Sequence, residues 1–182
     1  MPVITALNPQ TTTGKSKTLF DAVQTKLGMV PNMMRTMGHA PAVLEGYLSF
    51  SGALAGGTLS AKLREQIALT VADANHCEYC LSAHSAIGKM VGLTPNQINA
   101  SRIADDADPK TKAILKLAYE IVRNRGELSP SAIETVRQAG VSDGELAEII
   151  ANVSLNIFTN YFNHIAHTEI DFPKVSFTAS AQ

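Results

Sequence analysis

The sequence predicts an all-α fold, a compact helical bundle, on three observations. Apolar residues recur at three- and four-residue spacing along most of the chain. No run of alternating β-branched residues appears, and no Asn-Gly or Asp-Gly pair stands between two such runs. The periodic segments are separated by Ser, Thr and Asp caps, Pro openings and Gly stops. At 182 residues, 45% of them hydrophobic, the chain suits one domain spanning 1–182. Such a chain buries about 70% of its unfolded surface and needs no staples to fold.

Residues 1–14 read as an extended arm. A helix is expected over 16–27, closing at Gly28, and a short one from Asn32 to Met37 after the turn at Pro31. Pro41 opens the next, which Gly56-Gly57 stop. Ser60 caps a helix to about Ala74, with Leu63, Ile67 and Val71 on one face. Asn75-His76 break it, and another helix starts at Cys77–Glu78 and ends before Gly92. Thr94-Pro95-Asn96-Gln97 and Ser142-Asp143-Gly144-Glu145 both fit the capping box, in which hydroxyl and carboxyl or amide satisfy each other's backbone N–H. Asp108-Pro109 and Ser129-Pro130 open two helices between them. The last helix runs from Asp143 to His164 or beyond, Pro173 ends regular structure, and 174–182 read as a tail.

Charge and composition exclude several partners. Fifteen basic and 16 acidic residues leave a net charge of −1, so nothing stands ready to neutralise phosphates, and no nucleic-acid partner is expected. The longest charge-free apolar stretch, residues 149–163, is too short for a bilayer and carries Asn152, Asn156 and Asn160, so no membrane partner is expected. Met1 to Gln10 lacks the basic start and apolar core of a secretory signal. The expected location is the cytoplasm. Two Cys, at 77 and 80, are no secreted disulfide scaffold; in a reducing compartment such a pair points to catalysis or metal binding.

Chemistry concentrates in Cys77-x-x-Cys80-x-x-x-His84. Cys80 and His84 are i and i+4 on one helix and can touch. An imidazole beside a thiol, together with the partial positive charge of a helix start, favours the nucleophilic thiolate. Two Cys three apart in a regular helix hold their β-carbons about 5–6 Å apart, whereas a disulfide needs about 3.8 Å. The pair can close only if Cys77 sits at the helix start with non-helical dihedrals, a context that Asn75-His76 supply. Glu65 lies on the preceding helix. If the two helices form an antiparallel hairpin turning at 75–76, Glu65 faces the level of residue 86, about 3 Å from that of His84 at 1.5 Å rise per residue. A carboxylate–imidazole–thiol relay follows, with Glu65 orienting His84 and His84 exchanging a proton with Cys80.

Glu65 followed by Cys77-Glu78-Tyr79-Cys80-Leu81-Ser82-Ala83-His84 resembles the active-site signature of the alkylhydroperoxidase D-like, carboxymuconolactone decarboxylase superfamily. Pro31-Asn32-Met33-Met34-Arg35, Pro41-Ala42-Val43-Leu44 and Asn160-Tyr161-Phe162-Asn163-His164 resemble its peroxidase-related branch. The resemblance implies an all-α fold assembled as trimers or hexamers. It implies that Cys80 attacks a hydroperoxide and becomes a sulfenic acid, that Cys77 resolves it as a disulfide, and that an external dithiol, lipoyl or thioredoxin-like, reduces the product. Glu65 and His84 would be the proton relay, with no cofactor and no metal. The best-known peroxidase members carry His where this chain has Tyr79. The decarboxylase members lack the Cys pair, so lactone decarboxylation is not the expected activity. Two other readings compete: a redox-responsive binding or assembly protein that does not turn over, and a structural zinc protein recruiting His76, His164 or His167.

Simpler roles are expected elsewhere. Met29, Met33, Met34 and Met37 read as adaptable core filler, or as the wall of a substrate pocket. Asn152, Asn156, Asn160 and His164 recur every four residues along a line from Glu148 on an otherwise apolar helix; they read as a hydrogen-bonded seam or subunit interface. Arg64 reads as a salt-bridge or surface residue, and His39 and His167 as structural or surface residues.

Overall fold

Helix boundaries follow the punctuation of the sequence. The computed structural model describes residues 1–177, and among them lie nine helices and no strand. They are α1 (Gly14–Leu27), α2 (Asn32–Met37), α3 (Pro41–Ala55), α4 (Ala61–Ala74), α5 (Glu78–Met90), α6 (Pro95–Arg102), α7 (Pro109–Arg123), α8 (Pro130–Gln138) and α9 (Asp143–Ala166). Ser60, Asp108 and Ser129 each accept from the backbone N–H three residues on. Both capping boxes are complete. Each such cap stabilises its helix by about 1 kcal/mol. α1 starts two residues earlier than expected, because Gly14 at φ +66° turns the Thr run into the helix, a conformation that costs a residue with a Cβ. The segment before it runs without a helix and is tied down at Val3 N–H, which donates to the Ala166 carbonyl at 2.9 Å.

α4 packs against α5, α6, α7 and α9, and its apolar residues serve two cores. Leu69 and Ala72 join Phe20, Met34, Met37, Leu44 and Leu81; Ile67 and Val71 join Ile114, Leu115, Leu117, Ile149 and Val153. A helix wetted on one face has a single apolar stripe; α4 carries two because it is enclosed. Its start is pinned from α9. The Glu148 carboxylate accepts from Thr58 N–H (2.8 Å), Leu59 N–H (3.0 Å) and the Thr58 hydroxyl (2.8 Å). A Cβ at Gly57 would run into that carboxylate. The rotation of α4, and with it the direction of Glu65, is thereby fixed.

The expected tail differs over 174–177. Phe172 meets Tyr79 edge to face at 5.9 Å, and Phe177 meets His76 at 5.4 Å. Val175 N–H donates to Ser82 Oγ at 3.0 Å, and Lys174 pairs with Glu78 at 3.2 Å. Ile170, Phe172, Val175 and Phe177 cover the first core, so apolar burial holds the segment without regular structure. Residues 178–182 of the expected tail lie outside the described residues. Among those described, no helix is long and apolar enough to cross a membrane.

Candidate active site

The site is built at the α4–α5 turn. Asn75 closes α4, His76 reverses the chain at φ +54°, and Cys77 becomes the N-cap of α5 at φ −98°, ψ 95°. Cys77 therefore has the non-helical dihedrals that closure onto Cys80 requires. Cys80 lies in the first turn of α5, where unpaired N–H groups favour an anion. Both are free thiols, only 1% and 2% exposed.

Across the hairpin, His84 Nδ1 lies 2.8 Å from Glu65 Oε2. The expected facing of the two helices thus holds at hydrogen-bond distance. The pair is mostly buried, at 21% and 18% exposed. Burial opposes a charge on His84, but the Glu65 carboxylate, its hydrogen bond and the neighbouring Cys80 together raise the imidazole above its ordinary value. Cys80 is held well below an ordinary thiol, at about 6. The hydrogen bond from Cys77 contributes most to that; burial opposes it; the charge of His84 and the amides of Asn163 and Asn160 add to it. Cys77 goes the other way, because its thiol donates to Cys80 and is itself buried. One sulfur is therefore ready as an anion while the other keeps its proton.

A cavity of about 350 Å³ opens onto this arrangement. Cys80, His84 and Glu65 line it, with Tyr47, Arg64, Met29, Met33, Met34, Leu48, Ile87, Leu155 and Phe172. Cys77 is not on the wall, so Cys80 faces the cavity and Cys77 stands behind it. Three of the four clustered Met form the wall and Met37 is core, so both expectations for them hold in part. Arg64 is neither a salt-bridge partner among the described residues nor a plain surface residue: its guanidinium donates to the Leu59 carbonyl at 2.6 Å and lines the cavity.

Tyr47 is a site residue that sequence reasoning missed. Burial, with the negative charges of Cys80 and Glu65 nearby, holds its phenol protonated far above the ordinary range, and it lines the same cavity as both. Its position inside an ordinary helix carries no local signal. Tyr79 has an architectural part: its hydroxyl accepts from Met33 N–H at 3.0 Å and ties α5 to α2. Asn163 Nδ2 donates to Cys80 Sγ at 3.2 Å. His39 meets the Thr5 carbonyl at 2.8 Å, His164 the His76 carbonyl at 3.2 Å, and His167 terminates α9. Among the described residues no three His, Cys, Asp or Glu gather as a metal-holding group.

Residues 41–108, which hold Glu65, both Cys and His84, match the model of the carboxymuconolactone decarboxylase family. No curated protein matches the sequence. Among solved structures, an uncharacterized peroxidase-related protein from Silicibacter sp. TM1040 is 24% identical, with 92% of each chain covered and a TM-score of 0.80. The alkylhydroperoxidase AhpD core of an uncharacterized peroxidase-related protein from Ralstonia eutropha JMP134 is 24% identical over 91% of this chain and 90% of that one, TM-score 0.81. A Cys-to-Ala variant of the debrominase Bmp8, in complex with 2,3,4-tribromopyrrole, is 20% identical over 94% and 92%, TM-score 0.80. At these identities the neighbours show a shared fold.

Proposed function

We propose that this protein is a thiol-dependent peroxidase of the alkylhydroperoxidase type, working in a reducing, cytoplasmic setting. One observation carries the reading: a carboxylate and imidazole 2.8 Å apart stand one helical turn from a buried thiol in the first turn of α5, with a second buried thiol at that helix's N-cap. In the first step the Cys80 thiolate attacks the distal peroxide oxygen. The O–O bond breaks, Cys80 becomes a sulfenic acid, and the alkoxide leaves as an alcohol with a proton from His84. Glu65 steadies the imidazolium before the transfer and orients the ring after it. In the second step Cys77 attacks the Cys80 sulfur, water departs, and a Cys77–Cys80 disulfide forms. An external dithiol, lipoyl or thioredoxin-like, then returns both thiols, so each peroxide consumes two electrons.

The apolar wall and the volume of the cavity suit an organic hydroperoxide. Self-association into trimers or hexamers goes with the reading, and Phe158, Tyr161 and Ile165 on α9 give it an exposed apolar face. The activity in the family's name is not favoured, because a Cys pair occupies the centre of the site. Steady-state hydroperoxide consumption with dithiothreitol tests the proposal: many turnovers per chain are expected, abolished by Cys80→Ser. Full turnover in that variant would remove Cys80 as nucleophile. A single equivalent consumed per chain would make the protein a redox switch.

A further inference from the structure

The asparagines of α9 look alike in sequence and divide in the structure. Asn152 and Asn156 donate back along their own helix, to the Glu148 and Asn152 carbonyls, both at 2.8 Å. These are local bonds that any buried helical Asn can make. Asn160 and Asn163, one turn on, make no such bond. Asn163 Nδ2 donates instead to two sulfurs, Cys80 at 3.2 Å and Met33 at 3.3 Å, while its Oδ1 is buried with no partner. An unpartnered buried acceptor is costly. In this orientation the amide turns its donors, not its oxygen, to both sulfurs. Asn160, fully buried, has its Oδ1 held by Asn75 Nδ2 at 2.9 Å, which turns its own Nδ2 away from that bond, and that nitrogen meets no acceptor of good geometry. Asn160 lies three residues before Asn163 on the same helix, and both amides help to hold the Cys80 thiol low.

We infer that Asn163 and Asn160 form an amide cradle for the reacting sulfur, in which Asn163 binds the Cys80 thiolate directly and Asn75 aims Asn160 at it. Neither amide lines the cavity that Cys80 faces, so the sulfur's cavity side is left to substrate. Asn160 Nδ2 has no other partner, so the site keeps a spare donor for an anion. This goes beyond the seam or interface expected of these residues, and it deepens the peroxidase reading, on which its catalytic meaning rests. Asn163 is here a catalytic residue by contact with the reacting atom, and Asn75 a positioning residue.

The test is the pH profile of Cys80 alkylation by iodoacetamide in the fully reduced protein, followed by peptide mass spectrometry. Asn163→Ala should move the midpoint upward and slow alkylation at pH 6 about tenfold, the effect of one lost bond to a charged sulfur. Asn160→Ala and Asn75→Ala should move it the same way by less. Asn152→Ala, on the same buried face, should lower the melting temperature and leave the midpoint in place. Should Asn163→Ala fail to fold, the near-isosteric Asn163→Asp decides, since a carboxylate against a thiolate shifts the midpoint further upward. Midpoints unchanged in folded Asn163 and Asn160 variants would overturn the cradle. Alkylation needs no peroxide, so a shifted profile in a protein without turnover would refute the peroxidase reading alone.

Discussion

Replacing Cys77 by Ala isolates the contact that sets the reactivity of the site. Cys77 donates to Cys80, and this is the largest of the influences that hold Cys80 at about 6. Hydrogen bonds to charged groups contribute about 1.5–3 kcal/mol, and a shift of one pKa unit corresponds to about 1.4 kcal/mol. Cys77→Ala should therefore raise the Cys80 midpoint by about one to two units. Water entering the vacated space would restore part of the bond, so the lower end is expected. Cys77→Ser keeps an O–H donor and should stay within about half a unit of the wild type. Each variant retains one thiol, so ultraviolet thiolate absorbance against pH reads Cys80 alone. A midpoint still near 6 in Cys77→Ala, or equal shifts in both variants, would refute the reasoning. Both variants should also accumulate a sulfenic acid after one equivalent of hydroperoxide, trapped by dimedone, because no resolving thiol remains.

Other outcomes follow from the same contacts. Glu65→Gln removes the charge that supports the His84 imidazolium and should lower peroxide turnover by about tenfold to a hundredfold, with the melting temperature nearly unchanged; turnover at wild-type level would exclude the relay. Tyr47→Phe should reduce turnover while leaving the alkylation profile of Cys80 in place, which separates a donor to substrate from a structural ring. The pH dependence of stability has a defined sign. A thiol depressed on folding stabilises fully above its unfolded value of about 8.5 and loses that contribution as pH falls. The loss runs down through about 6 for Cys80, opposed by the raised His84, whose contribution grows as pH falls. Cys80→Ser should remove that part of the slope. In the core, Leu69→Ala should cost about 2–5 kcal/mol in chemical denaturation, because fully buried Leu leaves a cavity.

Helix ends were legible because their signals are local. Ser60, Thr94, Asp108, Ser129 and Ser142 each satisfy a backbone N–H within three residues, whatever the rest of the chain does. The Glu65–His84 contact was legible for a related reason: a tight turn at 75–76 leaves two rigid rods little freedom, and rise per residue sets which positions meet. Tyr47, Asn160 and Asn163 were not, because periodicity says which face of a helix is buried and not which groups it meets there. Asn163 reaches Cys80 across 83 positions of sequence. The segment 169–177 has no period and reads in sequence as ending in a tail from 174, yet Phe172 and Phe177 give it anchors whose receptors, Tyr79 and His76, lie far upstream.

That anchored segment bears on how the protein is made. The paired sulfurs leave the ribosome well before the residues that will lie across the start of their helix. Until Phe172, Val175 and Phe177 arrive, the nascent chain offers oxidants both sulfurs, whereas the finished molecule presents Cys80 alone to its cavity. Premature bridging at this stage would fix the hairpin before the segment that packs across it has been made.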